Sequence, residues 1–188
     1  MRVAGLLLAA GAGRRFGGPK ALVSHRGVLW VDRAAAVLRD AGCAPVVVVL
    51  GASASSVRSG AALDGCVVVD NPDWATGMGS SLRAGLDALS GADVAAVVVL
   101  PVDTPGVTAA AVERLRPLAS PAALARASYD GAPGHPVLIG ADHWAGVSAA
   151  AVGDAGARDY LRAHGALDVP CDDVADGHDV DHPGDLPE

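Results

Sequence analysis

A chain of 188 residues is the size of one ordinary domain, long enough to bury a core without disulfides or structural metal. At 51% hydrophobic and 19% charged it cannot be a disordered chain, and with aromatics at only 3% its core must be built from Val, Leu and Ala. A formal charge of -7 with no basic run excludes a nucleic-acid surface, so any polyanion it binds must be met by a few placed cations.

The first apolar run, Val3 to Ala10, has the look of a short secretory leader. Gly11, Gly13, Arg14 and Arg15 follow it at once, however, and the run reads better as a buried first strand. Further unalternated runs, Pro45 to Leu50, Cys66 to Val69 and Val94 to Leu100, suit parallel strands covered on both faces. Between them lie helical spacings: Val31, Ala34, Ala35 and Leu38, then Leu82, Leu86 and Leu89. Past Thr108 the pattern predicts a helix over Ala109 to Leu118 and strands over Ala122 to Ala127 and His135 to Ile139, with a loop at Tyr129 to Gly134 between them. A helix containing Arg158, Tyr160 and Leu161, a short strand at Leu167 to Val169 and an acidic tail from Asp172 to Glu188 complete the chain. Strand and helix alternate, which predicts one α/β domain over residues 1–188: a mostly parallel, Rossmann-like open sheet with helices on both faces and ligands at the carboxyl ends of its strands.

No apolar run reaches the roughly 18 residues of a membrane span, because Asp, Arg or Gly interrupts each one, and no membrane association is expected. Cys43, Cys66 and Cys171 are odd in number and lack a CxxC, which argues against a disulfide framework or zinc site and for a reducing cytoplasm.

The chemistry begins after the first strand, in Leu8-Ala9-Ala10-Gly11-Ala12-Gly13-Arg14-Arg15-Phe16-Gly17-Gly18-Pro19-Lys20. Its glycines permit positive φ and close backbone approach, so N–H groups can converge on phosphate oxygens. A merely flexible connection would not explain Lys20, the only lysine among fourteen basic residues in a chain that otherwise uses Arg. A compact ammonium is wanted there. The P-loop does not fit, since Pro19 precedes the lysine and Ala21 stands where a hydroxyl is required. The dinucleotide fingerprint is off by one, because Phe16 and then Gly17 follow Gly13, and Leu50-Gly51-Ala52 offers no ribose-binding acid.

The segment from Leu8 to Lys20 resembles the signature L-A-A-G-x-G-x-R-[MF]-G-x-x-K of enzymes that condense a nucleoside triphosphate with a phosphorylated acceptor. Among them the chain most resembles the molybdopterin nucleotidyltransferases, and its Ala9-Ala10-Gly11 spelling looks more like the cytidylyl than the guanylyl members. Phe16 departs from the usual Met, a change expected to affect loop packing. Asn71-Pro72-Asp73-Trp74 and the run to Leu86 are similar to the family's N-P-x-W-x-x-G-x-x-x-S-L-x-x-G-L, which lies along the nucleotide. That likeness adds Asn71, Gly77, Ser80 and Ser81 to Leu8, Ala9, Ala10, Gly11, Gly13, Arg14 and Lys20 as nucleotide-binding candidates. Ser80 and Ser81 also open a helix whose N-terminus suits an anion.

The run Val99 to Pro105 places Asp103 beyond the carboxyl end of a central strand, where it can hold Mg2+ against phosphate oxygens. Asp179-Val180-Asp181 resembles the D-[IV]-D of the family, whose second acid implies a further metal contact from Asp181. Gly134-His135-Pro136 matches a tripeptide of the cytidylyl enzymes and implies that His135 lines the acceptor pocket; Gly153 to Arg158 resembles G-D-x-G-A-R and implies that Arg158 holds an anionic acceptor. The resemblance therefore implies transfer of CMP from CTP to molybdopterin or a related phosphorylated acceptor, with Lys20, Arg15 and Asp103 catalytic, Mg2+ as cofactor and a molybdoenzyme as a further partner. The rival expectations are a sugar- or alcohol-phosphate acceptor, a nicotinamide-dependent oxidoreductase, and a nucleotide-binding chaperone without turnover.

Overall fold

The computed structural model describes residues 1–185, so the last three residues of the expected tail lie outside the described residues. In chain order the strands are β1 (Val3–Ala9), a small hairpin of β2 (Ser24–His25) and β3 (Val28–Leu29), β4 (Val46–Leu50), β5 (Val67–Asp70), β6 (Ala96–Pro101), β7 (Leu124–Tyr129), β8 (Ala132–Gly140) and β9 (Leu167–Pro170). The helices are α1 (Trp30–Asp40), α2 (Ala54–Gly60), α3 (Met78–Ala88), α4 (Ala109–Leu115), α5 (Trp144–Ala150) and α6 (Arg158–Ala163).

All seven residues of β1 are buried, as expected of a strand with no polar face. Successive side chains of a strand point to opposite faces. Thus Val3, Leu7 and Ala9 pack with α1 and α4, whereas Ala4, Leu6, Leu8 and Ala10 pack with α3, α5 and α6. The same alternation in β4 and β6 gives two aliphatic layers, one on each side of the sheet.

The sheet order is β5-β4-β1-β6-β8-β7-β9. β1 pairs in parallel with β4 and β6, β4 with β5, and β7 with β9; β8 alone runs against its neighbours. Chain connections leave β1 toward β4 and leave β6 toward β8, so the crevice between the carboxyl ends of β1 and β6 is the topological switch point.

Three expectations need correction. The stretch Tyr129 to Gly134 is a β-hairpin, because Asp130 (φ 49°) and Gly131 (φ 77°) form a two-residue turn with both residues at positive φ, and β8 begins at Ala132. The helix from Ala109 ends at Leu115, where Pro117 tightens the chain into a short 3₁₀ turn. Helices α2 and α5 were not anticipated, since their Ser-, Gly- and Ala-rich sequences carry a weak apolar stripe.

Candidate active site

A cavity of about 390 Å³ opens at the switch point, lined from the β1 end by Leu8, Ala10, Gly11, Ala12, Gly13, Arg14 and Lys20. Its other walls are Trp74, Ala75, Gly77, Met78 and Ser81 from the approach to α3, Pro101, Val102 and Asp103 after β6, and Asp154. Ala9 points to the opposite layer and is 2% exposed, so it supports the loop from behind.

The loop is held by its own backbone. The Gly13 carbonyl accepts the N–H groups of Phe16, Gly17 and Gly18 at 3.0, 2.9 and 3.1 Å. Gly13 sits at φ +59°, and a Cβ there would lie 1.8 Å from the Gly18 oxygen, so only glycine permits this curl. Phe16 packs against Trp30 at a ring separation of 5.7 Å, anchoring the loop to the start of α1. Among the described residues, no backbone N–H from Gly11 to Arg15 donates to a protein acceptor. Those groups, rather than the inward-turned N–H groups of Phe16 to Gly18, form the cradle available to an anion.

Lys20 occupies the other end of the cradle. Its ammonium donates to Asp181 Oδ1 at 2.9 Å and Asp103 Oδ2 at 3.2 Å, with 13% of its side chain exposed. Burial by itself would lower the Lys20 pKa, but the hydrogen bond to Asp181 and the charge of Asp103 leave it raised, so the side chain is a cation. The Asp181 carboxyl is held below its ordinary range, first by that hydrogen bond and then by the Lys20 charge, with a smaller contribution from Arg15. Asp179 does not touch Lys20; its carboxyl is pushed up by partial loss of hydration and by the charges of Asp103 and Asp181.

The acidic tail is not merely solvated. Val180 is buried, its N–H donates to the Asp103 carbonyl at 2.9 Å, the Asp176 N–H reaches the Gly106 carbonyl, and Thr108 Oγ1 donates to the Val174 carbonyl. These contacts run the tail along the loop after β6 and bring Asp181, 78 positions later in sequence, beside Asp103.

Asn71, Ser80 and Ser81 form one buried network. The Asn71 amide donates to Ser80 Oγ at 2.8 Å and Ser81 Oγ at 3.0 Å, while its carbonyl accepts the Asp73 N–H. Ser80 donates back to the carbonyls of Asp73 and Gly77. Asn71 and Ser80 therefore fix the loop carrying Trp74, and of the three only Ser81 lines the cavity. The start of α3 is also a poorer anion site than its serines implied, because the Asp154 carboxylate stands over Gly77.

The two acceptor candidates fall differently. His135 is partly accessible and within reach of the Asp103 charge, but is not on the cavity wall; loss of hydration lowers its pKa to about 4 against the opposing pull of Asp103, so the ring is neutral at pH 7. Tyr129 donates to its carbonyl at 2.7 Å. Arg158 is 76% exposed, lies 3.9 Å from Asp159, and does not line the cavity. Trp74, Met78 and Asp154 do line it and were not singled out from sequence, although each falls inside or beside a segment quoted for its resemblance.

A glycine-rich loop and a lysine held by two carboxylates at the switch point of a mostly parallel sheet match the architecture of nucleotidyltransferases. The chain belongs to the family of the MobA-like NTP transferase domain, whose model matches residues 5–169. It is 42% identical over 189 residues to the nicotine blue oxidoreductase of Paenarthrobacter nicotinovorans, covering 95% of this chain and 92% of that protein. It is 35% identical over 146 residues to the molybdenum cofactor guanylyltransferase of Rhodobacter capsulatus, covering 77% of this chain and 66% of the relative. Crystal structures of Rv0371c from Mycobacterium tuberculosis superpose with a TM-score of 0.83 at 29% identity, covering 97% of this chain and 94% of that one. The same protein in complex with manganese gives a TM-score of 0.78 at 27% identity over 90% and 88% of the two chains. No helix among the described residues is long and apolar enough to cross a membrane.

Proposed function

We propose that this protein transfers CMP from CTP to a phosphorylated acceptor of the molybdopterin type and releases pyrophosphate. The observation that carries the reading is Lys20 bridging Asp103 and Asp181 at the mouth of a cradle of free N–H groups. The family and the guanylyltransferase relative support transfer to a molybdenum-cofactor acceptor. The choice of cytidine rests on the Ala9-Ala10-Gly11 spelling, since neither curated relative is a cytidylyltransferase.

In this reaction an acceptor phosphate oxygen attacks the α-phosphorus in line, the bond to the β-phosphate oxygen breaks, and pyrophosphate leaves with the bonding electrons. The acceptor oxygen is already ionised, so no side-chain base is needed. Both reactants are anions, and catalysis is mainly charge neutralisation and positioning. The N–H groups of Gly11 to Arg15, with Arg14 on the cavity wall, hold the triphosphate, and Lys20 adds a point charge. Arg15 contributes at longer range through its field at Asp181.

Asp103 and Asp181 are the residues to hold Mg2+, which takes one or two carboxylates and completes its shell with phosphate and water. Two partly exposed hard-oxygen donors beside the cradle fit that demand, and Rv0371c, which resembles this chain, is known in a complex with manganese. When bound, such a cation supplies positive charge to the phosphate oxygens. Three free cysteines suit a reducing compartment such as the cytoplasm.

A second reading is favoured by the 42% identity to an oxidoreductase: hydride transfer from a nicotinamide dinucleotide to a heteroaromatic substrate. The end of β4 at Leu50-Gly51 carries no acid for a ribose, which weighs against it. One screen separates the readings. The four ribonucleotides, with Mg2+ and with or without molybdopterin, are assayed for pyrophosphate, and NADH and NADPH oxidation is followed in parallel. Acceptor-dependent pyrophosphate release, greatest with CTP, is expected. Release from GTP alone would overturn the base choice, and nicotinamide oxidation without pyrophosphate would overturn the transferase.

A further inference from the structure

The motif Gly153-Asp154-Ala155-Gly156-Ala157-Arg158 has no part in the reaction as derived so far, and its Arg158 faces solvent. Its acid does not. Asp154 lines the cavity, and its position there is built into the packing of the neighbouring backbone. Gly77, at φ +117°, would set a Cβ 2.5 Å from the Gly153 carbonyl carbon and 2.7 Å from Asp154 Oδ1. A Cβ on Gly79 would lie 2.5 Å from the Ala151 carbonyl oxygen and 3.1 Å from that of Gly153. Two glycines at the start of α3 thus clear a seat for the 151–154 segment, and the seat brings a carboxylate to the cavity wall.

That carboxylate has no hydrogen-bond or ion-pair partner among the described residues. Asp103, Asp181, Asp70, Asp168 and Asp173 are each matched to Lys or Arg. The cavity wall also includes Trp74, Ala75, Met78 and Ser81. Ser81 accepts from Asn71, and its own hydroxyl donates to no acceptor among the described residues. The cavity wall thus carries both the N–H-rich loop with Lys20 and, beside Gly77, one unpaired carboxylate.

Like charge disfavours a phosphate beside Asp154, and a neutral group that donates hydrogen bonds is favoured there. We infer that Asp154 is a specificity residue that accepts a hydrogen bond from the nucleoside half of the bound nucleotide, from a ribose hydroxyl or an exocyclic amino group. This rests on the proposal that the cavity holds a nucleoside triphosphate.

The test measures calorimetric affinities of CTP, 2′-deoxy-CTP, UTP and inorganic tripolyphosphate with Mg2+ for wild type, Asp154→Ala and Asp154→Asn, with melting temperatures as a check on folding. Asp154→Ala should bind CTP about tenfold more weakly, as expected when a hydrogen bond to a charged group is lost, and bind tripolyphosphate as well as wild type or better. Asp154→Asn, which keeps an acceptor oxygen, should fall between the two. If the ribose is read, wild type loses the same factor on 2′-deoxy-CTP, and the variant shows no further loss. If the amino group is read, UTP behaves in that way. Equal weakening of CTP and tripolyphosphate, or none of either, overturns the inference. Wild type that binds tripolyphosphate but no nucleotide overturns the parent proposal instead, and the role of Asp154 with it.

Discussion

At the scale of single residues, Lys20 neutralises two carboxylates at once, which separates the effects of its partners. Asp103→Asn removes the anion 3.2 Å away but leaves Asp181 at 2.9 Å, so the ammonium keeps a charged partner. The melting temperature of the ligand-free variant should stay within the range of a surface ion-pair change, under about 1 kcal/mol. Turnover should fall on the order of a hundredfold, as when a preorganised charge at the reacting phosphates is lost. Normal activity with unchanged Mg2+ dependence would move the metal to Asp181 and Asp179. His135 gives a pH signature. Its ordinary pKa of 6.5 is lowered to about 4 in the fold, so between those values the unfolded chain binds a proton that the folded chain refuses. The contribution is intact above pH 6.5 and lost as pH falls toward 4, with an upper bound of about 3 kcal/mol. Denaturation midpoints measured across that window should fall more steeply for wild type than for His135→Asn; parallel slopes would rule out the lowered pKa of the ring.

At the scale of elements, the phosphate loop depends on Gly13 more than on the number of its glycines. Any side chain there meets the Gly18 carbonyl, and the positive φ adds backbone strain, so Gly13→Ala must open the curl that turns three N–H groups inward. The sheet is built from other residues, and the loss of stability should be no more than about 1–3 kcal/mol. Tripolyphosphate affinity should drop at least about tenfold as the cradle loses its shape. Calorimetry with tripolyphosphate alone isolates this effect from base recognition, and unchanged affinity would place the anion elsewhere.

At the scale of the whole molecule, the site is assembled by a tail that returns from β9 to the loop after β6. Val180 is the pin, buried in the layer shared with α1 and α4 and hydrogen-bonded to Asp103 through its backbone. Val180→Asp would bury a charge without a partner, which the tail avoids by detaching. Turnover should fall as far as in Asp181→Asn, and the double variant should be no worse than either, the non-additivity of two changes that remove one contact. Additive losses would show that Val180 matters for stability alone.

The apolar runs of β1, β4 and β6 were legible as a parallel sheet because strands buried on both faces have no polar alternation to conceal them, and the edge strand β5 keeps the same unalternated run although it is partly exposed. Lys20 and the glycine loop were legible for a related reason: a positive-φ curl and a point charge each admit few residue types. The Asp130-Gly131 turn was also present in the letters and went unread, so β8 was expected three residues late. Burial and direction were not written locally. Ser80 and Ser81 are adjacent and chemically alike and both accept from Asn71, yet only Ser81 also lines the cavity, a difference set by the turn of α3. Asp154 and Arg158 share one motif, and the clearance at Gly77 and Gly79 seats the acid on the cavity wall while the arginine stays away from it. The sequence by itself determined which residue types were available for the chemistry; the packing of α3 and the return of the tail decided which of them meet, because such contacts depend on distances between segments far apart in the chain.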